Sequence, residues 1–157
     1  MTVEKIEKLK LRGVKLNSDA AQLHCADIDD ATPCLSHLLK ILKDNKINIL
    51  SLSKISAGNS FNSCLYFDAK DIKQVENLAN NADILKGRVG IVGRVGALSV
   101  FPHQNSMQTL GVLLFAIGNA GISLLSMSCS LSTLTFVVDC SQLEKTSAAV
   151  MEYADIS

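Results

Sequence analysis

Tryptophan is absent from this chain, and aromatic residues make up only 4% of it. A chain so poor in rings offers no stacking platform for nucleic-acid bases. An excess of charge is missing too, since 15 Lys and Arg balance 15 Asp and Glu. Without a basic surplus there is no electrostatic case for a nucleic-acid partner. Cysteine occurs only at Cys25, Cys34, Cys64, Cys129 and Cys140, an odd number with no CxxC pair. That scatter argues against a disulfide framework and a zinc site, and reads as buried thiols in a reducing cytoplasm. Met1 to Arg12 is charged throughout, which does not read as a secretory signal.

Charge is missing altogether from one long stretch. Val95 to Val138 holds no Asp, Glu, Lys or Arg. Its apolar runs are broken by Gly118-Asn119-Ala120-Gly121 and by serines, so none reaches the roughly 20 residues of a spanning helix. The expectation is no membrane span, but a domain whose uncharged surface faces another protein surface.

What the chain does have is an internal repeat. Ile47-Asn48-Ile49-Leu50-Ser51-Leu52-Ser53 returns as Ile122-Ser123-Leu124-Leu125-Ser126-Met127-Ser128. Each copy follows an apolar helical pattern and precedes an apolar strand ending in Asp, at Asp68 and Asp139. One small folding unit used twice explains this.

Hydrophobic periodicity fills in the units. Val3, Ile6 and Leu9-Lys10 predict a short helical turn, Leu11 to Leu16 an isolated strand, and Asn17-Ser18-Asp19 a turn. Ala21 to Ala26 reads as a strand. Thr32-Pro33 reads as a helix start, with Leu35, Leu38, Leu39 and Leu42 on one face. Strands over 47–55 and 61–67 flank a hairpin turn at 57–60. Asp68 or Asp71 caps a helix whose inner face is Ile72, Val75, Leu78 and Ala79. In the second unit the pattern predicts a strand over 95–101, a loop over 102–106 and a helix over 107–119 with Leu110, Leu113, Leu114 and Ile117 inward. Gly121 is the expected C-cap. Strands over 122–129 and 131–138 and a final helix over 141–153 complete it.

The glycine-rich run from Gly87 to Gly96 looks like a phosphate loop. Such a loop must open a helix so that its amides face the phosphates. Here valines alternate with small residues, and Ala97 to Phe101 is strand-like, so strand-turn-strand is the expectation. Each unit therefore reads βαββα. Ile84 to Val92 can close the first sheet, whereas the second ends just after its helix. The strand at 11–16 is expected to complete the second.

The class is thus α+β: two ferredoxin-like βαββαβ units, 20–92 and 93–157, each an antiparallel sheet with helices on one face. With these residues it resembles the tandem ACT domains of the aspartate kinase regulatory region. Arg12-Gly13-Val14-Lys15-Leu16 is similar to that family's leading strand, and Asp30-Ala31-Thr32-Pro33 to its Asp-containing loop before the first helix. Asn45-Lys46-Ile47-Asn48-Ile49 and Ala120-Gly121-Ile122-Ser123-Leu124 resemble its Gly-Ile-Asn-Ile junction between helix and second strand. Val89-Gly90-Ile91-Val92-Gly93 resembles the opening of its second ACT unit.

The resemblance implies a small amino-acid effector, lysine or threonine, held where two ACT units pack. Position by position, it implies Asp30 for the effector ammonium, Pro33 and Leu35 lining the loop, and Lys54 at a place often held by a polar amide. From the second unit it implies Leu110, Ser123 and Leu124. The symmetric counterpart uses Asn48 and Ile49 against the loop of His103, Gln104, Asn105 and Gln108. Pro33 and Gln108 stand where the family has a loop glycine, so two readings stay open. One is an amino-acid-binding regulatory module of lysine biosynthesis. The other is an ACT-type dimerisation scaffold with degenerate pockets.

Both readings imply a cytoplasmic homodimer, and the first also an aspartate kinase catalytic domain in cis or in trans. No cofactor, metal or catalytic residue is implied. His24 and His37 have no nucleophile or acid at a recognisable spacing, so a small enzyme on this fold is the weakest reading.

Overall fold

Leu9 to Asp27 forms a single strand, β1, in a computed structural model that describes residues 8–27, 34–57, 60–102 and 107–157. The turn expected at Asn17-Ser18-Asp19 is absent, and Leu9 and Lys10 open this strand rather than ending a helical turn. Ser18 and Asp19 are exposed, so a strand costs these polar side chains no solvation, and ladder hydrogen bonds outweigh their turn propensity. Thr32-Pro33, the tip at 58–59 and the loop 103–106 lie outside the described residues, as do Val3 and Ile6.

The chain divides into two compact units, Asp19–Arg94, and Val95–Ser157 with the described residues up to Ser18. In the Asp19–Arg94 unit, the second part of β1 is followed by α1 (Cys34–Asp44), β2 (Ile49–Ala57), β3 (Ser60–Asp68), α2 (Ile72–Asn81) and the start of β4 (Val89–Pro102). The strand order is β2-β3-β1-β4, with β3 antiparallel to both β1 and β2. Period-two alternation sends Ala21, Leu23 and Cys25 of β1 and Leu65 and Phe67 of β3 to one face. There they join Leu38 and Leu42 of α1 and Val75 of α2, all essentially inaccessible to water. Each large side chain so buried contributes roughly 1.5–3 kcal/mol.

The other unit takes β4 from Val95 onward, then α3 (Met107–Asn119), β5 (Leu124–Cys129), β6 (Leu134–Asp139) and α4 (Leu143–Glu152). Its strands run β5-β6-β4-β1, and Leu11 of β1 lies in the same core as Leu98, Leu113, Phe136 and Val150. A strand missing from the sequence reading, β7 (Ala154–Ile156), follows α4 and pairs parallel to β1, Leu9 opposite Ala154. Three residues are too few to show a period of two.

The run Gly87 to Gly96 enters β4, which continues without a turn to Pro102. Gly93 takes φ 107° within the strand, a conformation open to glycine, and so removes the need for the expected turn. The run continues as strand to Pro102 rather than opening a helix, so its amides do not form a phosphate cradle. Gly96 serves packing instead: a Cβ there would lie 2.8 Å from Leu143 Cβ, where α4 crosses the strand. Both units are thus βαββα arrangements with helices on one face, their β1–β3, β2–β3, β4–β6 and β5–β6 ladders antiparallel and the short β1–β7 pair parallel, the α+β class expected.

Candidate functional site

The repeat reappears in the backbone as one junction built twice. At the end of α1, Asn45 N–H donates to Ile41 O (3.1 Å), Lys46 N–H to Lys43 O (3.0 Å) and Ile47 N–H to Leu42 O (2.9 Å). At the end of α3, Ala120 N–H donates to Ala116 O (3.1 Å), Gly121 N–H to Gly118 O (2.9 Å) and Ile122 N–H to Ile117 O (3.2 Å). Lys46 and Gly121 hold the left-handed position of the helix stop, with φ 56° and 67°. Ile47 and Ile122 then tuck into their cores, at 6% and 7% exposure. Asn48 and Ser123, one residue later, face solvent.

Each junction delivers the chain into the outermost strand of its sheet, and each such strand begins with a bulge. The register slips between Ile49 and Ser51 in β2 and between Leu124 and Ser126 in β5. A bulge at this place bends the edge and re-aims its side chains. Leu50 and Leu125, the residues inside the two bulges, are left exposed. Leu52 and Ile55 on β2 and Met127 on β5 are exposed as well. An edge strand carrying apolar side chains is suited to pairing with another backbone.

The sequence-derived site residues fall as follows. Asn48 and Ile49 form the α1–β2 junction, and Ser123 and Leu124 the α3–β5 junction. Lys54 is exposed on β2, opposite Ser63. Leu35 and Leu110 lie in the first turns of α1 and α3, half-buried against their own cores. Within a unit, roughly 13 Å of helix separates each of these leucines from the junction that follows it, at the 1.5 Å rise of an α-helix. Gln108 is exposed on α3. Asp30, Pro33, His103, Gln104 and Asn105 lie outside the described residues.

Acidic residues after β3 and β6 also repeat. Asp68 Oδ1 accepts from Lys70 N–H (3.0 Å) and Asp139 Oδ1 from Ser141 N–H (2.9 Å), each capping a 3-10 turn ahead of α2 or α4. Asp71, the other expected cap, makes no such side-chain bond. The Lys70 ammonium bonded to Asp68 holds that carboxyl below its ordinary pKa, and the Ser141 hydroxyl and amide do the same for Asp139. Lys70 is raised in turn by Asp68.

A groove of about 230 Å³ lies between α3 and α4, lined by Ala116, Asn119, Ala120, Ala149, Glu152 and Tyr153 among others. Its lining comes from α3, α4 and the residues that close them. Among the described residues no three His, Cys, Asp or Glu side chains gather as a metal site, and no helix is long and apolar enough to cross a membrane.

The bulges and the doubled hydrogen-bond pattern could not be read from sequence. The repeated heptapeptide pointed to the place but carries no signal for the register slip.

No known family's sequence pattern matches the chain, and no curated protein matches it. Its fold, by contrast, is shared with solved structures. The ligand-free regulatory subunit of aspartate kinase from Thermus thermophilus superposes with a TM-score of 0.79 at 13% identity, over 92% of this chain and 99% of that one. The regulatory subunit from Thermus flavus gives 0.78 at 15% identity, over 91% and 97%. Aspartokinase III of E. coli, in complex with lysine and aspartate in its T-state, gives 0.66 at 12% identity, over 97% of this chain and 35% of that one. The similarity to aspartate kinase read from the residues is therefore matched in three dimensions, and it falls on the regulatory part: this chain has the fold of an aspartate kinase regulatory region.

Proposed function

We propose that the chain is an allosteric regulatory module of the aspartate kinase type, built from tandem ACT units over 20–92 and 93–157, the second completed by the strand at 11–16. The observation that carries this is coverage: a solved regulatory subunit is matched over 99% of its own length. The effector is a small amino acid. Lysine, present in the E. coli aspartokinase III complex, is the first candidate and threonine the second.

The contacts are assigned to Asn48-Ile49 and Ser123-Leu124 at the junctions, to Lys54, Leu35 and Leu110, and to Asp30 and Pro33 ahead of α1. An exposed junction at a strand edge offers backbone donors and acceptors to an amino acid's carboxylate and ammonium. Asp30 supplies the countercharge for the ammonium. Binding acts by population shift: the effector favours one state only by its differential affinity, and each tenfold of difference is worth about 1.4 kcal/mol. The partner so controlled is an aspartate kinase catalytic domain, in cis or in trans, in the cytoplasm.

The test is to combine the chain with such a catalytic domain and follow ATP-dependent phosphorylation of aspartate. Lysine- or threonine-dependent change in rate only when the chain is present supports the proposal. An unchanged rate with every amino acid overturns it.

A second reading has its own observations. Exposed Leu50, Leu52, Ile55, Leu125 and Met127 on the two edge strands fit a homodimer formed edge to edge. With Pro33 and Gln108 in place of the loop glycines, such a dimer could persist with degenerate pockets. A tight dimer that responds to no amino acid is the result that selects this reading.

A further inference from the structure

Two thiols meet inside the Asp19–Arg94 unit. Cys25, near the end of β1, and Cys34, the first residue of α1, place their sulfurs 3.1 Å apart. They are 1% and 0% exposed and belong to the same core, beside Leu38 and Leu65. A thiol–thiol contact of this kind is a weak hydrogen bond, so polar attraction alone gives little reason to pair two cysteines there. What the contact does supply is proximity. A disulfide requires its sulfurs at about 2.05 Å, so the pair needs only about 1 Å of approach to bond.

We propose that Cys25 and Cys34 form a peroxide-sensitive dithiol–disulfide pair that fastens the end of β1 to the start of α1. The reaction is a two-electron oxidation of the two thiols by a small hydroperoxide. The Cys34 thiolate attacks one oxygen of hydrogen peroxide, breaking the O–O bond to give a sulfenic acid and hydroxide. The Cys25 thiolate then attacks the Cys34 sulfur, forms the S–S bond and expels a second hydroxide. The two thiol protons neutralise both hydroxides, so the products are one disulfide and two waters.

Burial sets the reagent and the order of events. A large disulfide reagent cannot fit against sulfurs with almost no exposure, whereas peroxide is little larger than water. Cys34 sits at a helix end, where local opening costs less than unfolding the unit. Once Cys34 is a sulfenic acid, Cys25 is already in place to resolve it before further oxidation. The bond encloses the segment carrying Asp30 and Pro33. Any effect on effector binding therefore rests on the proposed function, whereas the disulfide itself does not.

The test uses the full native chain treated with hydrogen peroxide, alkylated under denaturing conditions and mapped by non-reducing peptide mass spectrometry. The expected result is a Cys25–Cys34 cross-linked peptide, lighter by two hydrogens, and a fall in free thiols from five to three. A reductant should restore all five. Closing so short a loop should raise the melting temperature by about 5–10 °C. The variant with Cys64, Cys129 and Cys140 replaced by Ser should give the same cross-link, its free thiols falling from two to none, and Cys34→Ala should lose the cross-link. If Cys34→Ala does not fold, mapping of the parent chain still decides. Five thiols surviving peroxide in the native chain, or a cross-link between any other pair, would overturn the proposal.

Discussion

Exchanging the residues at the two helix stops should move stability in opposite directions. Lys46 is the one non-glycine residue with positive φ among those described, and it occupies the position Gly121 fills in the other unit. A left-handed conformation costs an L-residue about 1–2 kcal/mol, whereas glycine's greater freedom when unfolded costs about 0.5–1 kcal/mol. The difference predicts that Lys46→Gly stabilises by about 0.5–1 kcal/mol and that Gly121→Lys destabilises by about as much. A Cβ at Gly121 would meet nothing within 4 Å, so the loss there is backbone strain and not collision. For a chain of this size these energies correspond to melting shifts of about 1–4 °C, upward for Lys46→Gly and downward for Gly121→Lys. Urea unfolding is the assay, with the midpoint moving and the slope unchanged. A lower midpoint for Lys46→Gly, or an unmoved one for Gly121→Lys, would refute the equivalence of the two junctions.

Three further outcomes are expected. Gly96→Ala should destabilise by about 1–3 kcal/mol in thermal unfolding, because its Cβ would lie 2.8 Å from Leu143 Cβ, an atom that no change of side-chain rotamer moves away. Asp139 has a folded pKa below its unfolded one, so its contribution is complete above about pH 4 and is lost as pH falls through the folded value; Asp139→Asn should flatten that acid limb of the stability profile. If the exposed β2 edge pairs with a second copy, Leu50→Lys and Leu52→Lys should shift sedimentation from dimer towards monomer without lowering the melting temperature of the monomer.

The elements legible in the sequence were those with a long, uninterrupted period. The helix expected over 107–119 is α3, Met107–Asn119, because an apolar run closed by Gly-Asn-Ala-Gly leaves few alternatives. The strand joining Leu11 to Ala26 was hidden by Asn17-Ser18-Asp19, whose local preference for a turn loses to ladder pairing. β7 was hidden by its length, and the turn expected within Gly87 to Gly96 by the tolerance of a strand for Gly93. The junctions were legible because a repeated heptapeptide marks them, whereas their bulges depend on cross-strand register, which no single segment encodes. The meeting of Cys25 with Cys34 is likewise a tertiary contact between β1 and α1, with no motif to announce it.

The proposed sensing of an amino acid by this fold is read from the melting temperature of the purified chain against each common amino acid in turn. A saturable upward shift is expected with lysine or threonine, about 5–11 °C at one hundred times the dissociation constant, from a binding stabilisation of about 2.7 kcal/mol. An unmoved melting temperature with every amino acid at millimolar concentration would contradict it.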